Sequence, residues 1–151
     1  MGNVTTAGSY AHALTAGDFS CATTAGHCAS AATAGFNAHA TTTGDDAPAT
    51  TTGNFSHAAT TGDDTRATTT GISAHALTAG EAARASVSGE NAIAAAFGAN
   101  SYARAAAGGF IVLAQYDGDT VVAVKTAQVG NDGVKPDTWY RLNSTGEFVE
   151  H

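Results

Sequence analysis

Between residues 8 and 106 the small side chains of this sequence recur with a strict nine-residue period. Glycine stands at 8, 17, 26, 35, 44, 53, 62, 71, 80, 89 and 98, which marks eleven repeats. Counted from each glycine as position one, position six is Ala in every repeat and position four is Ala, Ser or Thr. Position eight is Thr in the first eight repeats and then becomes Val87, Ala96 and Ala105. Small residues at alternate positions define one face of a β-strand, because successive side chains point to opposite sides of the sheet. The pattern therefore predicts a strand over positions four to nine with its small-residue face buried, then a bend at Gly and the two residues after it. A helix does not fit, since glycine costs about 1 kcal/mol in a helix interior and nine residues do not close on one stripe at about 3.6 per turn. Disorder does not require the same small residue at one position of eleven successive repeats.

Nine residues are too few for a closed coil with an interior, so two repeats are expected to make each turn, with two facing sheets. The outward position five supports this. Even-numbered repeats carry Cys21, His39, His57, His75 and Ile93 there, whereas odd ones carry His12, Ser30, Pro48, Arg66, Arg84 and Tyr102. The bends alternate too: odd repeats give Asp45-Asp46 and Asp63-Asp64, and even ones place Phe19 and Phe55 at position three, with Asn37 between them. The expected fold is all-β, a β-solenoid with 18 residues per coil. Eleven repeats give five and a half coils, roughly 26 Å tall at about 4.8 Å per rung.

Residues 107–151 leave the period and read as a second unit after the solenoid of 1–106. Phe110 to Tyr116 and Val121 to Val129 read as strands around the turn Asp117-Gly118, and Thr138 to Leu142 and Glu147 to Val149 as two shorter ones. The bulky apolar residues concentrate here and in the last repeats, as expected of a cap that covers an open solenoid end. The other end lacks such a cover, which points to a homo-oligomer, a dimer stacked through the first coil or, as the competing arrangement, a trimer.

The Gly-x-x-Ser/Ala-x-Ala-x-Thr-x pattern resembles the β-roll heads of trimeric autotransporter adhesins and phage fibre proteins. Repeats followed by Gly109-Phe-Ile-Val-Leu-Ala, then Val134-Lys-Pro-Asp-Thr-Trp-Tyr-Arg-Leu-Asn and Gly146-Glu-Phe-Val-Glu, are similar over nearly the whole chain to repeat proteins of bacteriophages and gut bacteria. That resemblance implies a phage or prophage origin and brings no catalytic residues with it.

Composition narrows the function. Half the chain is Ala, Thr and Gly, at 35, 23 and 18 residues, and only 13% is charged, against about 25% in ordinary domains, so the core must be thin. No apolar run approaches the roughly 20 residues of a membrane span, and the N-terminus has neither a basic start nor a hydrophobic stretch. A soluble chain with no membrane partner is expected. The net charge of −7 argues against direct nucleic-acid binding. Cys21 and Cys28 read as reduced thiols.

The acids Asp45, Asp46, Asp63, Asp64 and Glu81 gather at the odd-repeat corner and form a candidate patch for a basic protein partner. Whole-duplex mimicry is too demanding: residues 8–106 carry seven acids and three arginines, whereas about 26 Å of DNA carries on the order of 15 charges. Calcium-binding β-rolls need an Asp where this repeat has Ala, and no phosphate loop or nucleophile–base spacing occurs. His39, His57 and His75 should stack about 4.8 Å apart in a solvated ladder that resists simultaneous protonation. No metal or other cofactor is expected. Thr41 with Thr43 on one face, and Thr50 with Thr52 and Thr68 with Thr70 on the other, raise ice binding, although outward Thr suits any exposed strand.

These readings point to a non-enzymatic interaction protein that binds a protein partner through rigid faces, with inhibition of a host defence or nucleic-acid enzyme as its setting in the host cytoplasm. The alternatives are a fibre or adhesin segment of a virion or cell surface, and an ice-binding protein.

Overall fold

A computed structural model describes residues 2–151. One sheet stacks β1 (Asn3–Ala7), β3 (Cys21–Ala25), β5 (His39–Thr43), β7 (His57–Thr61), β9 (His75–Thr78), β11 (Ile93–Ala96) and β13 (Phe110–Asp117), with β14 (Thr120–Gln128) at its edge. The second stacks β2 (His12–Ala16), β4 (Ser30–Ala34), β6 (Ala49–Thr52), β8 (Arg66–Thr70), β10 (Arg84–Val87) and β12 (Tyr102–Ala105), followed by β15 (Tyr140–Leu142) and β16 (Phe148–Glu150). From β1 to β12 the chain alternates between the sheets, and each strand from β1 to β10 pairs in parallel with the one 18 residues on, as Asn3 with Cys21 and Ala58 with Ala76. The fold is an all-β solenoid with the 18-residue coil that the sequence predicts. It has about six turns and not five and a half, because Asn3–Ala7 enters the first sheet in register.

Positions four, six and eight face inward. The position-six alanines are between 0% and 2% exposed, from Ala13 to Ala103. Position-eight Thr24, Thr42, Thr51, Thr60, Thr69 and Thr78 are buried beside them. The coils also stack closely at the bends, so from Gly26 to Gly98 the bend glycine is required by contact with the bend 18 residues before it, whereas Gly8 and Gly17 have no neighbour within 4 Å. A Cβ on Gly62 would collide with the carbonyl of Gly44, directly below it in the stack, and Gly62 itself has φ of +133°.

Apart from β6, each solenoid strand begins at position five, one residue later than the pattern suggests, and from β9 to β12 it ends at position eight. The cause is the turn. Position three is left-handed in every bend, from Tyr10 at φ 62° to Asn100 at 55°, and the position-four N–H can then close back on the glycine carbonyl, as Ala11 does on Gly8 at 3.2 Å. This is the geometry of a type II turn. At β6 the start moves to position six, since Pro48 has no N–H to give a ladder.

The C-terminal 107–151 segment extends both sheets. β13 continues the first sheet in parallel and folds back as an antiparallel hairpin with β14, while β15 continues the second sheet antiparallel to β12 and pairs in turn antiparallel with β16. Ile111, Leu113, Val129, Val134 and Tyr140 join the alanine core there. Tyr140 accepts the Lys135 N–H at 3.0 Å and donates to Glu150 at 3.3 Å. Lys135 also pairs with Glu150 at 2.6 Å.

Candidate functional site

A solenoid turns each outward position into a column, so candidate sites lie where columns of different chemistry adjoin. The bends that lead into the first sheet form an aromatic corner. Phe19, Phe36 and Phe55 stack edge-on with ring centroids 5.9 and 5.4 Å apart. They are 51%, 45% and 48% exposed, and Ile72 continues the column at 47%. The repeat puts Asn37 in this series, but the ring comes from Phe36. Phe36 occupies position two, one residue before the left-handed position, yet its ring fills the gap between the two position-three phenylalanines.

Beside this corner, on the outer face of the first sheet, His39, His57 and His75 stack with ring centroids 4.9 and 5.1 Å apart, as the repeat predicts. Partial burial and, secondarily, the flanking His39 and His75 hold the His57 imidazole below its ordinary pKa. A groove of about 410 Å³ runs between Phe36, Phe55, His57 and His75. Farther along the same face, Leu77, Ile93, Phe97 and Val112 line an apolar depression of about 450 Å³ with His57 and His75 at its edge.

The opposite corner, formed by the bends that lead into the second sheet, is acidic. Its five acids have different tasks. Asp45 accepts the Asp63 N–H at 3.0 Å and Asp63 accepts the Glu81 N–H at 2.8 Å, so both carboxylates tie one coil to the next. Asp18 and Asn54 do the same at the aromatic corner, for Phe36 and Ile72. Glu81 accepts from Asn100 at 3.2 Å. Asp46 and Asp64 instead line a groove of about 380 Å³ with Arg66, Arg84 and Tyr102, in which the Arg84 guanidinium lies 5.5 Å from the centre of the Tyr102 ring.

At the upstream end of this corner His27 and Cys28 adjoin Asp46, with His27 Nδ1 at 4.0 Å from a carboxylate oxygen of Asp46. Spacing along the chain does not reveal this trio, because its members sit on successive coils. Both Cys28 and Cys21 are free thiols. The outward threonines form short ranks. Thr50 adjoins Thr68 and Thr52 adjoins Thr70 on the second sheet, while on the first Thr41 adjoins Thr23 and Thr43 adjoins Thr61. Ala59 ends the Thr23–Thr41 rank.

No protein family, curated protein or solved structure matches this chain.

Proposed function

We propose that this chain is a non-enzymatic interaction protein that docks a protein partner through its aromatic corner and the adjoining outer face of the first sheet. The observation that carries the reading is the run of exposed large apolar side chains there: Phe19, Phe36, Phe55 and Ile72 on the corner, with Leu77 and Phe97 beside them. Contiguous apolar surface of this kind on a water-soluble domain marks interaction sites, and aromatic residues are enriched among those that dominate binding energy. The rigid coil holds the rings in place, which lowers the ordering cost of association. The resemblance to phage repeat proteins supplies the setting, with antagonism of a host defence or nucleic-acid enzyme as the role.

The test uses a photo-crosslinking residue at Phe55, or at Pro48 on the second sheet, in cells that make the protein. One discrete adduct is expected from position 55, absent from 48 and abolished by Phe36→Asp in a variant with an unchanged circular dichroism spectrum. Equal labelling from both faces, or an adduct indifferent to Phe36→Asp, overturns the reading. A trimeric mass, or faceting of ice crystals by the purified protein, favours the fibre or the ice-binding alternative.

A further inference from the structure

We infer that His27, Cys28 and Asp46 form a binding site for a borderline-soft divalent cation of the zinc class. The inference is independent of the partner reading and concerns the opposite corner. An imidazole nitrogen, a thiol sulfur and a carboxylate oxygen lie within 4.8 Å of one another there. Tetrahedral zinc, with Zn–S of about 2.3 Å and Zn–N or Zn–O of about 2.0 Å, sets its donor atoms roughly 3.5 Å apart. The proposed site forms by rotation of these three side chains to that spacing.

The backbone already fixes the parts that rotation cannot supply. Cys28 and Asp46 both occupy the left-handed third position of their bends, at φ 55° and 54°, so they belong to one column on successive coils. The coils are locked at that point by the Cys28 N–H, which donates to the Asp45 carbonyl at 3.0 Å, and by the Asp46 N–H, which donates to Asp63 at 3.0 Å. His27 precedes Cys28 and closes the triangle from the side. All three side chains reach solvent, His27 and Asp46 with more than half of their side-chain surface and Cys28 in part, so a cation enters without any opening of the fold.

The donor set indicates which cation. Thiolate and imidazole together select zinc and its neighbours over magnesium or calcium, which take oxygen donors only. Three protein donors leave a fourth position for water, the arrangement of an open zinc site. The other acids of the same two columns add a field: Asp45, Asp63 and Glu81 follow His27, and Asp64 follows Cys28 and Asp46, and together they raise the local cation concentration. The histidine ladder on the other face offers imidazoles alone, without thiolate or carboxylate.

The experiment titrates the reduced full-length chain with Co²⁺, whose thiolate charge-transfer band reports sulfur ligation directly, and then displaces it with Zn²⁺. One equivalent of cobalt is expected to give the band, and zinc to remove it. Cys28→Ser should abolish the band, and His27→Ala and Asp46→Asn should each weaken binding at least tenfold. Cys21→Ser, Asp64→Asn and His57→Gln should leave it within twofold. Circular dichroism of each variant separates loss of a ligand from loss of the fold. No band with the folded parent, a band that survives Cys28→Ser, or equal weakening by Asp64→Asn each overturns the proposal.

Discussion

At the scale of single residues, the inward positions leave no slack. Ala58 and Ala67, at 1% and 0% exposure, meet the opposing sheet in a core of alanine and threonine, so an added isobutyl group has no space to enter. Ala58→Leu and Ala67→Leu should each destabilise the fold by about 1–3 kcal/mol or prevent folding, measured as a lower urea midpoint. Unchanged midpoints in both variants contradict the inside–outside assignment. The histidine ladder adds a pH dependence with a definite sign. In the unfolded chain His57 titrates near its ordinary value of 6.5, whereas in the fold burial, and then His39 and His75, hold it lower. Between these values the unfolded state binds more protons, so stability falls as pH drops below about 6.5 and the loss is complete below the folded value. His57→Gln should flatten the fall in denaturation midpoint between neutral and mildly acid pH; an identical slope in parent and variant excludes the ladder as its source.

At the scale of elements, the parallel strands are all alike in needing a neighbour on each side, and the C-terminal segment supplies one to both β11 and β12. Removing residues 107–151 strips Ile111, Leu113, Val129, Val134 and Tyr140 from the core and bares two parallel edges. The remaining chain should aggregate or unfold without cooperativity, as followed by thermal melts with light scattering. A soluble fragment with a sharp transition makes the segment a separate module. The strands themselves were legible because their signal is repetition, and the register followed from the alternation of His39, His57 and His75 with Arg66 and Arg84. The turn residues were less so. Phe36 does not share a repeat position with Phe19 and Phe55, and the meeting of Cys28 with Asp46 joins different residue types across coils, where neither periodicity nor a motif points to it.

At the scale of the whole molecule, β1 and β2 each have a strand on one side only. Two such ends satisfy each other's backbone groups on stacking, and a two-fold arrangement closes at a dimer. Light scattering on the 151-residue chain should give the dimer mass, and the monomer mass once Thr5 and Thr6 are both changed to Pro. A monomeric parent rules out assembly through this end, and a trimer indifferent to the prolines moves the contact to the sides. The glycine contacts between coils bear on how such a chain changes length over generations. Because each bend from Gly26 onward rests on the one 18 residues before it, a duplication of one full coil preserves every column and still delivers the chain to its C-terminal strands on the correct side. A duplication of a single nine-residue repeat would send all downstream residues to the opposite sheet, with phenylalanines exchanged for aspartates and β13 for β15. Length changes that keep the fold therefore come in pairs of repeats, and natural length variants should differ by whole coils.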